Sequence, residues 1–449
     1  MKRLHVALIT TAVALTALSC SGPDGARDVR IVLITLDTLR HDRFEPAAGA
    51  PSTMPLTRAR AANGLVLDRY YTVSPVTQPA HATIFTGLLP WEHGITRNGI
   101  VLRDDLPNVI EAFKAGGFET HAVVASYPLA SRFGFARGFD SYGEDFSHNL
   151  SKNKTLWEGH WQIESGKFFS LGGSVTDEAI EALGSATGDK QFFWFHYFDP
   201  HAPYGASSGD DVLKKRDVMT AADSGIDAAN QMLDDVKVLY DRDVRYLDES
   251  LNRVFEQLER DGARYETHVV VVADHGESLG EDGSIGHGAR LNQAELRVPA
   301  FILSSQVAPR LESKITSALD IAPTLLSLAG LQLADVSLAG RDLTAPITTP
   351  SPAYAIRRTF LEPGKVERRI DGRDYPLEGI LFGEVGPGGV IQLGNGDALL
   401  SDNSATSEES QTRVRETFRE FEKSFSQLPE ALPLDDEVRR GLKALGYIE

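Results

Sequence analysis

Cysteine occurs once in the 449 residues, at Cys20. No intrachain disulfide can form, no cysteine-based zinc cluster is possible, and the body of the chain holds no thiol nucleophile. Positive charge is also in short supply: 45 Lys and Arg face 63 Asp and Glu, a formal net charge of −18. Nucleic-acid backbones are gripped by clustered cations, so this balance argues against an unassisted nucleic-acid-binding surface. Long apolar runs are scarce as well. Leu4 to Leu18 is mostly apolar, but it is too short to cross about 30 Å of hydrocarbon comfortably. What remains is an ordinary globular composition, 42% hydrophobic and 24% charged. The length suits one large α/β domain with an appendage, or a few domains of about 100–200 residues each.

The N-terminus reads as an export address. Lys2 and Arg3 precede the apolar run, which ends in Ala17-Leu18-Ser19-Cys20. A basic n-region followed by a short apolar h-region is the pattern of a signal peptide. With the lone cysteine behind it, the segment resembles the lipobox of bacterial lipoproteins, although Ala17 and Leu18 depart from the preferred residues. An ordinary secreted chain is the alternative. The expected layout is a signal peptide over 1–19, a lipoprotein tether over 20–28 that includes Ser21-Gly22-Pro23-Asp24-Gly25, a catalytic domain over 29–345 and a C-terminal subdomain over 346–449 beginning near Pro350-Ser351-Pro352. The protein is expected to be exported, periplasmic or at the cell surface, and to touch membrane only through lipid on Cys20.

The body predicts an α/β fold, a mostly parallel sheet sandwiched by helices. Val29 to Leu36 is a near-continuous apolar run ending at Asp37, as suits a strand buried on both faces. Phe118–Ala125, Phe192–Phe198, His268–Ala273 and Ala300–Leu303 read as further central strands. Leu233, Val236, Tyr240, Val244, Leu247, Leu251, Val254 and Leu258 recur at three- and four-residue steps and predict a helix over Gln231–Arg260. A second helix is predicted over Ile315–Ala329, stopped by Gly330. Beyond residue 346 the predicted elements are short strands over Gly379–Val385 and Gly389–Leu393 and a helix over Thr412–Phe425. Ligands of such sheets bind at the carboxyl ends of the strands.

Two strands end there in charge: VRIVLITL-Asp37 and HVVVVA-Asp274-His275-Gly276-Glu277. A buried carboxylate needs a partner or a cation. Either Asp alone reads equally well as a helix N-cap, whereas the two together, with His275, point to a metal site. In Ser74-Pro75-Val76-Thr77-Gln78-Pro79, Pro79 suits a first helical turn and puts Thr77 or Gln78 near the N-cap. Thr77 then either caps the helix or presents its hydroxyl beside N–H groups able to hold an anion. His196 and His201 stand six positions apart, counted inclusively, in HYFDPH, where a loop histidine can protonate a leaving group.

Taken in order, these pieces resemble the sulfatase family of the alkaline phosphatase superfamily. ITLDTLRHD is similar to its opening metal-binding strand, SPVTQPAHATIFTG to its nucleophile loop and FHYFDPHAPY to its Asp-Pro-His segment. VVVVADHGESLGEDGSIGHGARLNQAELRVP resembles its second metal block, and the long helix before it, SALDIAPTLLSLAGL with AGRDL, and LKALGYIE are also typical. The resemblance is dense over 29–345. It departs at the chemistry: family sulfatases convert a Cys or Ser to formylglycine, and Thr77 cannot yield that aldehyde. His81 replaces the following Arg, Thr38 the second Asp, and His287 stands near the place of a Lys.

The resemblance implies a hydrolase of phosphate mono- or diesters or phosphonate esters. One divalent ion (Mg²⁺, Mn²⁺, Ca²⁺ or Zn²⁺) would be held by Asp37, Thr77, Asp274 and His275. Thr77 would be the nucleophile, His81 and Arg40 would balance charge on the non-bridging oxygens, and His201 or His287, with His196 also open, would be the general acid. The substrate would be a small-molecule, glycan or lipid ester. The alternatives are a sulfate-ester hydrolase working without formylglycine and a binding protein on a sulfatase scaffold.

Overall fold

The computed structural model describes residues 27–425 apart from 147–155, 158–160, 163–167, 209–211, 334–336, 360–363, 378, 387–388, 394–398 and 402–407. The signal peptide, residues 20–26 of the Cys20 tether and LKALGYIE therefore lie outside the described residues, and Asp28, expected in the tether, opens the first strand.

Eight strands form the main sheet: β1 (Asp28–Leu36), β2 (Leu65–Leu67), β3 (Glu119–Val124), β4 (Ser141–Gly143), β5 (Lys190–Tyr197), β6 (Tyr265–Ala273), β7 (Ala300–Leu303) and β8 (Arg310–Glu312). Their order is β8-β2-β7-β6-β1-β5-β3-β4. β1 lies at the centre, parallel to both β5 and β6. β7 runs antiparallel to β6 and to β2, so the sheet is mixed. Ile31 to Ile34, Phe192 to Phe195 and Val270 to Val272 are all buried, which is why these strands read as apolar runs instead of alternating.

Helices cover the sheet. Ile226–Arg260 is the longest, and its stripe from Leu233 to Leu258 is buried. It begins five residues before the expected Gln231, because Ile226 and its neighbours are exposed there and carry little of the stripe. The helix expected over Ile315–Ala329 is shorter than read. Thr316 and Ser317 pair with Tyr70 and Tyr71 as a short strand, and the helix proper is Ile321–Leu328. The Asp320 carboxylate explains the break: it accepts from Ser317 N at 2.9 Å and from Arg341 N at 2.7 Å, closing a turn before the helix.

A second sheet of four strands forms from Ala353–Ile356, Phe382–Gly386, Gly389–Leu393 and Leu399–Ser401, with the helix Glu408–Phe425 against it. Trp91, Ile356, Phe382, Val414, Phe418 and Phe421 fill its core. A hairpin of Val366–Arg368 and Asp374–Pro376 reaches back to the main body. There Glu367 accepts from Lys215 Nζ at 2.7 Å and from Arg290 Nε at 3.2 Å.

Candidate active site

The register of the central strands sets the site. Leu36 lies opposite both Tyr197 and Ala273, so β1, β5 and β6 end side by side and Asp37 and Asp274 leave the sheet together. Asp37, Asp274 and His275 offer ligand atoms within 4.8 Å of one another, and all three are buried. His275 Nε2 stands 3.6 Å from Asp37 Oδ1 and 3.7 Å from Asp274 Oδ2. His275 Nδ1 lies 3.1 Å from the Gly276 carbonyl. That nitrogen therefore carries the proton, and Nε2 keeps a lone pair turned to the carboxylates.

The local backbone is shaped for this arrangement. Thr38 has φ of +54°, a strained conformation for a β-branched residue. Two contacts hold it: Tyr240 on the long helix donates to the Thr38 carbonyl at 2.8 Å, and Thr38 N donates to Asp274 Oδ1 at 3.3 Å. Gly276 lets the following loop pass close by, since a Cβ there would sit 2.0 Å from the Ala294 carbonyl oxygen.

Asp37 Oδ1, Asp37 Oδ2 and Asp274 Oδ2 are buried with no hydrogen-bond partner. Burial pushes the Asp37 carboxyl well above the usual carboxylate range, and the charges of Asp274 and Glu277 push the same way. Burial likewise raises Asp274, against bonds from the His275 and Thr38 amides. It drives His275 well below the usual histidine range, with His287 adding to the effect. Orphaned carboxylate oxygens facing a neutral imidazole suit a divalent cation, which would remove both penalties. The residues fit the metal that the resemblance implies, and oxygen with one imidazole suits several such ions.

Thr77 is the first residue of the helix Thr77–Thr86; the N-cap is Val76, and no side chain caps the helix. The capping role weighed for Thr77 is thus not the one it takes. Its Oγ1 instead stands 3.5 Å from His275 Nε2. The helix end is a poorer anion cradle than expected. Gln78 N donates to Asn98 Oδ1 at 2.9 Å, Pro79 has no N–H, and Ala80 N donates to the Val76 carbonyl.

On the other side, His287 Nδ1 lies 3.0 Å from Glu277 Oε1. The His287 ring lies 4.4 Å from that of His275 and 5.0 Å from that of His201. His201 Nδ1 lies 2.6 Å from the Ala202 carbonyl, and its ring stacks on Phe198. Burial and the neighbouring His287 hold His201 well below the usual histidine range. His196 is fully buried, its Nε2 3.7 Å from Asp37 Oδ2.

Two residues expected at the transferring group are placed otherwise. Arg40 is engaged on every side of its guanidinium: by Asp42 at 2.9 and 2.6 Å, by the Glu277 carbonyl at 2.8 Å and by Glu281 at 2.9 Å. It braces the loop after Glu277 instead of facing a substrate. His81 is fully buried, with Nδ1 2.8 Å from the Thr77 carbonyl and Nε2 2.9 Å from Thr35 Oγ1. It supports the site from below. Glu277 is the residue that sequence reasoning passed over. It adjoins the Asp-His pair, but its partner His287 lies ten positions on, and only the fold shows the contact. Thr35, which meets His81, gave no signal in the sequence.

An α/β sheet with paired acidic strand ends, a buried Asp-Asp-His cluster and a helix-borne hydroxyl beside it defines an alkaline-phosphatase-like ester hydrolase. The chain belongs to the sulfatase family: the family model described as Sulfatase matches residues 30–331. It is 23% identical over 401 residues to the choline-sulfatase of Rhizobium meliloti, covering 79% of this chain and 77% of that one. It is also 23% identical over 386 residues to the multifunctional alkaline phosphatase superfamily protein PehA of Trinickia caryophylli, covering 67% and 73%. The fold matches the phosphonate monoester hydrolase of Agrobacterium radiobacter with a TM-score of 0.66 at 18% identity, over 91% of this chain and 98% of that one. Members of this superfamily use a divalent metal. Among the described residues, no helix is long and apolar enough to cross a membrane.

Proposed function

We propose that the protein hydrolyses phosphate or phosphonate esters through Thr77. The observation that carries this reading is Thr77 Oγ1 at 3.5 Å from His275 Nε2, on a helix it does not cap. Asp37, Asp274, His275 and Thr77 would hold a divalent cation, whose chemistry is Lewis acidity: a lowered hydroxyl pKa and neutralised phosphoryl charge. The Thr77 hydroxyl gives its proton to solvent, and Oγ1 attacks phosphorus as the bond to the leaving oxygen breaks. His287 gives that oxygen a proton from Nε2, while Glu277 holds its Nδ1. Water then attacks phosphorus, releases the phosphoryl group and returns Thr77 to its hydroxyl form. His201, tied to a carbonyl and held neutral by burial, is the poorer acid of the two.

A threonine cannot supply the formylglycine of sulfatases, and this supports phosphoryl over sulfuryl transfer. The second reading, a sulfate-ester hydrolase, draws support from the choline-sulfatase resemblance. A screen of cation-reconstituted protein against aryl phosphate monoesters, phosphodiesters, phosphonate monoesters and sulfate esters separates the two. A higher kcat/KM on a phosphorus ester supports the proposal, and a preference for the matching sulfate overturns it.

We further propose that residues 29–345 form the catalytic domain and 346–449 a subdomain braced to it by Glu367. Export and lipidation at Cys20 belong to the same reading: the substrate would then be an ester met outside the cytoplasm.

A further inference from the structure

Beneath the carboxylates lies a chain of fully buried polar side chains that the proposed reaction does not use. Ser126 Oγ is 3.1 Å from His196 Nε2, and His196 Nδ1 is 3.1 Å from Thr35 Oγ1. Thr35 Oγ1 is 2.9 Å from His81 Nε2, and His81 Nδ1 is 2.8 Å from the Thr77 carbonyl. Trp194 Nε1 donates to the same Thr35 oxygen at 2.9 Å. The register makes this possible, since Thr35 and His196 are partners across β1 and β5. Ser126, Thr35, Trp194, His196 and His81 are all at 0% exposure, so bulk water does not reach them.

Hydrogen-bond chemistry gives this chain one direction. A carbonyl only accepts, so His81 Nδ1 is its N–H and, in a neutral ring, Nε2 is an acceptor. The Thr35 hydroxyl has one proton, and it goes to His81 Nε2. Thr35 oxygen already accepts from Trp194, and its second lone pair takes the proton on His196 Nδ1. His196 Nε2 is then unprotonated and accepts from Ser126.

We infer that Thr35 is a positioning residue that holds His196 in the Nδ1–H tautomer, against a His81 whose own Nδ1–H is fixed by the Thr77 carbonyl, and so keeps an imidazole proton off the Asp37 carboxylate. His196 Nε2 lies 3.7 Å from Asp37 Oδ2; His81 Nδ1 lies 3.7 Å from Asp274 Oδ2 but gives its proton to the Thr77 carbonyl at 2.8 Å. In the opposite tautomer, His196 would carry a proton on the nitrogen that faces Asp37 and compete with a cation for that oxygen. With the chain running as assigned, the orphaned oxygens of Asp37 stay available. The same chain ends on the carbonyl of Thr77, and so ties the start of the nucleophile's helix to β1. The inference rests on the proposed cation site only for its consequence, not for the tautomers.

The test is two-bond ¹H–¹⁵N correlation of ¹⁵N-histidine-labelled, cation-free full chain, assigned with His81→Gln and His196→Gln, paired with Mn²⁺ titration by calorimetry. The wild type should show both rings protonated on Nδ1, against the Nε2–H form common in water. Ser126→Ala should leave both tautomers unchanged, because the Thr77 carbonyl sets that of His81 and Thr35 that of His196. Thr35→Val should raise the Nε2–H population of His196, whose Nδ1–H is left with only the Thr35 main chain as acceptor, and weaken Mn²⁺ binding by about 10–100-fold, the usual range for groups behind a metal's own ligands. Thr35→Ser should restore both. A wild-type His196 or His81 protonated on Nε2, alone or with Nδ1, overturns the inference even if Thr35→Val fails to fold. Wild-type protein with these tautomers and no Mn²⁺ binding would instead remove the cation site and leave the tautomer assignment standing.

Discussion

Thr77 Oγ1 lies 3.5 Å from His275 Nε2, the same nitrogen that stands 3.6 Å from Asp37 Oδ1. One unprotonated ring nitrogen thus marks the point where the helix-borne hydroxyl meets the acidic strand ends. Because Thr77 caps nothing, its removal should separate activity from stability. Thr77→Ala should lower kcat by several orders of magnitude with little change in Tm, since no side-chain cap bond is lost. Thr77→Ser should keep measurable turnover. Steady-state kinetics and thermal melts on the three proteins check this.

Cation uptake should release protons. Burial holds the Asp37 and Asp274 carboxyls well above their ordinary range in the cation-free protein. Their ligating form is the deprotonated one, so affinity must rise with pH through a window above the usual carboxylate titration. Calorimetry in buffers of different ionisation enthalpy should show net proton release. Asp274→Asn should lose most of the affinity, and chelation of the wild type should abolish turnover. A fully active chelated enzyme would contradict the cation site.

The Glu277–His287 pair should matter most when the leaving group is poor. A general acid is worth about 10²–10⁴-fold, and a good leaving group has little use for it. His287→Ala should therefore cost about 10²-fold or more on an alkyl ester and much less on a nitrophenyl ester. Glu277→Gln should show the same pattern more weakly, and His201→Ala should not. Equal losses on both ester types would remove the acid assignment.

Much of the fold was legible because burial on both faces writes a strand as a plain apolar run, as in β1, β5 and β6. The long helix was legible through its stripe. The antiparallel sense of β7 was not, since Ala300–Leu303 has the same composition in either direction. Nor was the Asp320 turn, which depends on Arg341, 21 positions on. At the site, Asp37, Asp274, His275 and Thr77 were readable as strand ends and a helix start. The placement of Arg40 and His81 was not readable. Residue type shows that a side chain can face an anion, but only the fold shows Asp42 and Glu281 around one and Thr35 and the Thr77 carbonyl around the other.

Location can be tested apart from the chemistry. Cys20→Ser should abolish lipid labelling and move the mature chain from the membrane fraction to the soluble exported fraction. An equally membrane-bound Cys20→Ser protein would contradict the lipid anchor.

The central claim is that Thr77 carries the transferred group. Its most direct test is an acid quench during turnover of an aryl phosphate by the cation-reconstituted enzyme, followed by peptide mapping with mass spectrometry. The account predicts a phosphoryl group on the peptide containing Thr77, at Thr77 itself, and its absence in Thr77→Ala. Rapid turnover with no adduct on that peptide at any quench time, or with undiminished kcat in Thr77→Ala, would contradict it.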